Sequence, residues 1–472
     1  MVFSSIIFLC VFMPVTFAVY YLCPAKARNL LLLIASLVFY AWGEPVYIIV
    51  MVFCIVFNYF AGRLVFIFKE ASMPVKAEIS FIISIIADVS ILLFFKYTNF
   101  FIEIINNTGF KEMPVLHIVL PIGISFYTFQ AISYIADVYM GNAKAQKNII
   151  NFAMYICMFP QLIAGPVVRY NQISNEIHTR KISGRDTAEG LQKFITGLGK
   201  KVIFANQAGE LWEEISNITA SGSSVLIAWL GAIAYTFQIY FDFSGYSDMA
   251  SGMGQMLGFK FPENFNYPYQ SESITEFWRR WHTSLGTWFK EYVYIPLGGS
   301  HKGFPRQACN LFIVWTLTGL WHGASWNFII WGIYFFVLLF MEKCFLLKLL
   351  NKIPKITRHI YALFFITAGW IIFACEDLNK LFNYLKTMAG AGVPLFNNYA
   401  VYKLYTNILL LLLMAICSTK LPVNIINRLS IKFKLNEIII FWTKAAFTII
   451  LLITSMALII NGSYNPFLYF RF

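Results

Sequence analysis

Residues 307–341 read QACNLFIVWTLTGLWHGASWNFIIWGIYFFVLLFM and hold no Asp, Glu, Lys or Arg. A run this long and this apolar points to lipid as its solvent. As one continuous helix it would reach ~50 Å, well past a hydrocarbon core of about 30 Å. The run therefore has to break. Gly319 and Gly323 flank Leu320-Trp321-His322, which predicts the break there. A histidine at a break inside a membrane is costly unless something satisfies it, and ionisable groups at such depth usually face a cavity and act as sites. The plainer alternative is a histidine bonded to a neighbouring helix. Trp315, Trp321, Trp326 and Trp331 crowd the segment, and Gly323 permits close backbone approach, which favours a site. A neutral imidazole there can act as general base on a hydroxyl, since its unperturbed pKa lies near working pH.

The remaining composition agrees with a lipid-solvated chain. Of 472 residues, 59% are hydrophobic and 12% charged, against about 45–50% and about 25% in soluble globular proteins. Too little polar surface exists to coat a water-soluble fold. The net charge is +13, but the Lys and Arg sit mostly between apolar runs, the pattern of cytoplasmic loops. Anionic headgroups, or an anionic carrier such as coenzyme A, suit that charge better than nucleic acid does. The eight cysteines form no C-x-x-C, so neither a disulfide framework nor a zinc or other metal site is indicated. The N-terminus opens apolar without a basic n-region and reads as an uncleaved first span.

Apolar segments long enough to be read as spans are Phe3–Leu22, Leu30–Ala41, Val46–Ala61, Ile79–Phe95, Val115–Val138, Ile149–Val167, Ser223–Tyr240, Asn310–Leu320, Ala324–Phe340, Ile360–Phe373, Thr406–Ile416 and Ala446–Ile460. Several are short, so the expectation is roughly eleven membrane helices, with some segments re-entrant or paired. No soluble domain or low-complexity linker interrupts them, and residues 1–472 read as one membrane domain. No internal repeat emerges, which argues against a transporter, since many carry two related halves. Lys26 and Arg28 follow the first span directly, placing that loop in the cytoplasm and the N-terminus outside.

Two polar segments, Arg169–Asn206 and Phe259–Arg306, mix basic and aromatic residues as interfacial amphipathic helices do. In the second, Trp278, Trp281, Leu285 and Trp288 recur at helical spacing and predict one aromatic face. His282 follows Arg279 by three residues, so the two would share a face. An arginine there would favour the neutral imidazole and could hold a phosphate. The plainer reading is a solvated histidine on an interfacial helix. Asp242 and Asp248 close another uncharged run and could bind a histidine or a backbone amide. Pro262–Tyr269 reads as a connecting loop by its prolines and asparagines. No P-loop, G-x-G-x-x-G or G-x-S-x-G pattern is present.

Five stretches together resemble the membrane-bound O-acyltransferase superfamily: Pro121–Gln130, Phe159–Pro166, Phe241–Asp248, Glu276–Leu285 continuing to Tyr294–Gly299, and Gly319–Gly323. The likeness runs nearly end to end. It is greatest to the branch holding the membrane subunit of bacterial alginate O-acetyltransferase and its peptidoglycan-acetylating relatives. The resemblance implies an all-α polytopic fold, a ring of membrane helices with re-entrant and interfacial pieces around a central tunnel. It implies that His322 is the catalytic histidine. His282 matches the second histidine of the bacterial branch, where many eukaryotic relatives carry asparagine. Arg279, Arg280, Trp281, Trp321, Asp242 and Asn264 are the candidates for donor binding or tunnel lining. No tightly bound cofactor is implied. Acetyl-CoA would serve as donor from the cytoplasm, and a partner of serine-type, SGNH-like transferase fold would complete transfer to an extracytoplasmic polysaccharide. The implied location is the bacterial cytoplasmic (inner) membrane. The tail Pro466–Phe472 resembles the aromatic tail of this branch, and Tyr469 is either an acyl relay or an interfacial anchor. Alternatives are D-alanyl transfer to teichoic acid from a carrier protein, and a transporter of acyl donor or polymer without chemistry.

Overall fold

A computed structural model describes residues 1–109, 112–116, 118–218, 223–433 and 436–462. Among them the regular structure is helical throughout, apart from an isolated bridge between Phe265 and Trp281. Eight of the helices are long and apolar enough to cross a membrane. Two of these, Pro74–Asn107 and Glu437–Asn461, are largely unburied, and the large apolar side chains they expose are Ile, Val, Leu, Phe and Trp442. Surfaces of that kind belong in hydrocarbon. The chain is an all-α polytopic membrane protein.

Two of the expected spans take another form. The segment read as Val115–Val138 becomes helical only at Ile124, after Pro121 and Gly123. The segment read as Ile149–Val167 is a short helix, Ile149–Cys157, that ends at Met158 and restarts at Phe159–Leu162. Pro160 sits in the first turn of the restart, where its missing N–H costs nothing.

The chain divides into two compact units. One comprises Met1–Phe194 with Tyr246–Glu263. In it the Ile48–Glu70 helix packs against Pro74–Asn107 and Ile124–Met140. Asn58 bonds Asp88 Oδ1 at 2.8 Å and the Cys54 carbonyl at 2.9 Å, which pairs polar groups that have no water to turn to.

The other unit, Ile195–Gly245 with Asn264–Phe472, holds both histidines of interest. It contains a hairpin of the Phe304–His322 and Trp326–Met341 helices. The charge-free run breaks where its length requires, with the first helix ending at His322 and the second starting at Trp326. Small residues set the closeness of the hairpin. A Cβ on Gly319 would lie 2.3 Å from the Phe328 carbonyl oxygen, and one on Gly332 would lie 2.4 Å from that of Trp315. Any side chain at either position would force the backbones apart, which is the packing logic of membrane helices. The Lys355–Ala374 helix lies against the second arm, and Asn327 Nδ2 donates to the carbonyls of Ile372 (3.3 Å) and Phe373 (3.0 Å).

Candidate active site

His322 is the last residue of its helix and is 6% exposed. Three aromatic rings meet its imidazole near edge-on: Trp321 at 4.9 Å, Trp331 at 5.0 Å and Phe373 at 5.1 Å between centroids. It lines a cavity of about 430 Å³ whose walls include Trp278, Trp281, Leu285, Val314, Trp315 and Thr318.

His282 lines the same cavity and is 3% exposed. Its local structure departs from the expected single amphipathic helix. Ile274–Arg280 and Thr283–Phe289 are two short helices. Between them Trp281 is extended and His282 is left-handed, at φ 46° and ψ 50°. Arg279 and His282 therefore do not share a helix face, and Trp278, Trp281, Leu285 and Trp288 do not form one face of a single helix. Tertiary pairing overrides the periodicity. The loop read as a plain connection runs alongside the break: Phe265 bridges Trp281, Asn266 N–H donates to the Arg280 carbonyl (2.9 Å), and Thr283 N–H donates to the Asn264 carbonyl (3.0 Å). These contacts offset the cost of a left-handed non-glycine residue, roughly 1–3 kcal/mol.

Asn264 also sets the tautomer of His282. Its side-chain oxygen accepts from Ser284 N–H (3.3 Å) and Ser284 Oγ (2.8 Å), and it lies 3.0 Å from His282 Nδ1. The Ser284 backbone can only donate, so the shared atom is an oxygen and an acceptor. His282 Nδ1 therefore carries the proton. Nε2 holds the lone pair, is buried, and has no hydrogen-bond partner among the described residues. Burial also pushes the imidazole well below its ordinary pKa, so the ring is neutral. The unit thus presents two buried imidazoles on one cavity, with the Trp321 indole touching both at 6.1 and 4.9 Å.

The other candidates separate. Arg279 and Trp281 line the cavity, and Lys290 joins them. Arg280 is instead tied to Glu276 (2.7 Å) and the Asn266 carbonyl (3.2 Å). Asp242 makes a buried ion pair with Lys201 at 2.8 Å. Lys201 lies in a π-helical turn, Lys200–Ala205, which nothing in the sequence pattern announces. Tyr469 lies outside the described residues.

Glu342 was not singled out from sequence. Its carboxylate accepts from the backbone N–H groups of Ile274 (2.7 Å) and Thr275 (2.8 Å), the Thr275 hydroxyl (2.6 Å) and the Tyr361 hydroxyl (3.1 Å). An anion at a helix N-terminus is favourable, and this one anchors the helix that carries Arg279. Its signal was available, as Glu342 is the first charge after the uncharged run.

The sequence profile of the membrane-bound O-acyltransferase family matches residues 143–377, a range that includes both histidines. The chain is 42% identical over 396 residues to the probable alginate O-acetylase AlgI of Azotobacter vinelandii, covering 83% of this chain and 79% of that one. It is 35% identical over 431 residues to the peptidoglycan O-acetyltransferase of Helicobacter pylori, covering 84% and 81%. A teichoic acid D-alanyltransferase of Bacillus subtilis is 30% identical over 245 residues, covering 49% and 62%.

Proposed function

The chain belongs to the membrane-bound O-acyltransferase family and is a multi-pass membrane acyltransferase, and on that premise we propose that it passes acetyl from cytoplasmic acetyl-CoA across the membrane for O-acetylation of an extracytoplasmic polysaccharide. The acceptor is an alginate-like exopolysaccharide or peptidoglycan. Relatives named for those two acceptors align over more than four-fifths of this chain, whereas the D-alanyltransferase aligns over 49% of it.

The observation that carries the mechanism is the pair of buried imidazoles on one cavity. His322 acts as general base. It takes the proton of an acceptor hydroxyl as that oxygen attacks the acetyl carbonyl carbon. The C–S bond then breaks, and the departing thiolate recovers the proton from the His322 imidazolium. His282 works on the donor side. Its neutral Nε2 accepts from an N–H of the pantetheine arm, while Arg279 and Lys290 offer cations to the donor's phosphates. A serine-type, SGNH-like partner outside the membrane completes transfer. Tyr469 is proposed as the intermediate acyl carrier, and its plainer role is an aromatic anchor.

The test is polysaccharide acetylation in cells carrying single variants at matched protein levels. His322→Ala is expected to abolish acetylation, a loss on the order of 10²-fold or more for a missing general base. Retained acetylation in that variant would favour the transporter reading over the enzyme. Tyr469→Phe, if acetylation is unchanged, removes the relay and leaves the rest standing.

A further inference from the structure

A second and larger cavity of about 1090 Å³ lies in the same unit as the two histidines. Its lining includes Glu213, Glu376, Asp377, Lys380 and Lys386, and charged side chains at that density keep a cavity hydrated. The cavity of His322 and His282 is walled mainly by aromatic and aliphatic groups. Among the described residues no side chain lines both. A ring contact joins their linings. Phe373 lines the large cavity, and its ring stands at 81° against the His322 imidazole, which lines the small one.

We propose that the Phe373 ring is a movable partition between the two cavities, keeping water from the acyl donor until an acceptor displaces it. This rests on the reading of His322 as base with an acyl thioester in the smaller cavity. The geometry suits a side chain that swings on a fixed base. Asn327 Nδ2 holds the carbonyls of Ile372 and Phe373, so the end of the Lys355–Ala374 helix is pinned. The phenyl packs edge-on to Phe328 at 5.0 Å and Trp370 at 5.8 Å and tilted on Trp331 at 5.4 Å, besides His322. Such contacts are weak individually and directional, so a rotamer change can open the way without moving backbone.

Chemistry supplies the reason for a partition. A base beside a thioester activates water as readily as an alcohol. The water oxygen would attack the acetyl carbon, the C–S bond would break, and acetic acid and the free thiol would leave. Excluding water from a reactive acyl group is a general task of closing elements.

The experiment uses the full chain in lipid nanodiscs with acetyl-CoA and no acceptor, following free coenzyme A by chromatography. Phe373→Ala is expected to raise acceptor-independent hydrolysis at least about tenfold over the unsubstituted protein. Adding His322→Ala to it should return hydrolysis to background, because the leaked water still needs the base. Phe373→Trp should slow transfer to acceptor while hydrolysis stays low. Phe373→Leu carries the same leak test if the alanine variant fails to fold, with melting temperature as the check. Hydrolysis by folded Phe373→Ala or Phe373→Leu at the unsubstituted rate, with His322→Ala inactive in transfer, overturns the partition alone. Transfer that survives His322→Ala overturns the underlying reading instead.

Discussion

Removing the Asn264 side chain tests whether its amide serves His282 or merely serves the fold. In Asn264→Ala three donors lose their acceptor: His282 Nδ1–H, Ser284 N–H and Ser284 Oγ–H. The serine hydroxyl can rotate to another acceptor, but the two N–H groups are fixed in direction. Both lie in buried surroundings, with Asn264 at 2%, His282 at 3% and Ser284 at 6% exposure. An orphaned buried donor costs about 1–3 kcal/mol, so the variant should lose about 2–6 kcal/mol of stability. That is a large part of a typical margin of about 5–15 kcal/mol, so it should appear as a lower melting temperature in detergent. The catalytic effect should be separate. Without the acceptor, His282 is free to place its proton on either nitrogen, and the loss of an orienting partner typically costs about 10–100-fold. The assay is a double-mutant cycle in acetyl transfer, with His282→Ala, Asn264→Ala and the pair. If Asn264 acts through His282, the pair is no slower than His282→Ala alone. Additive losses would refute the reasoning, since they would mean that Asn264 contributes to transfer independently of the imidazole it contacts.

Two further perturbations follow from the packing. Asp242→Asn leaves Lys201 buried at 4% side-chain exposure without its counter-charge, and should cost about 3–5 kcal/mol; Lys201→Met with Asp242→Leu should recover much of that in thermal melts, and no recovery would show that the pair has some role besides neutralising itself. Gly323→Ala would put a Cβ 2.2 Å from the Phe328 ring, pushing that ring into Phe373 and the His322 pocket. Transfer should fall far more than folding does, Phe328→Leu should restore part of it, and unimpaired transfer in Gly323→Ala would show that the pocket tolerates the shift.

Much of this was legible in the residues. The uncharged 307–341 run is too long for one membrane crossing, and its glycines mark the break at His322. The interest of His282 was legible too, through the resemblance of its surrounding block. Its setting was not. Helical spacing of Trp278, Trp281, Leu285 and Trp288 argued for one continuous helix, because periodicity reports local preference only. What breaks the helix is the 264–266 backbone pairing against 280–283, together with an amide side chain eighteen residues away from the histidine it contacts. Non-local hydrogen bonds of that kind leave no trace in a window of sequence. The same holds for Asp242, whose run of neighbours says nothing of a lysine 41 positions earlier in the chain.

By itself, then, the sequence determined that the chain lives in lipid, that it is helical, and that a histidine sits where a long apolar run must break. These follow from composition and from the fixed rise of a helix against a fixed bilayer thickness, both properties of short stretches. Only the tertiary structure decided that His322 and His282 share a cavity, which nitrogen of His282 carries the proton, and that Phe373 lines a larger cavity while its ring packs against His322. Those depend on which residues distant in the chain come within a few ångströms, and packing alone sets that.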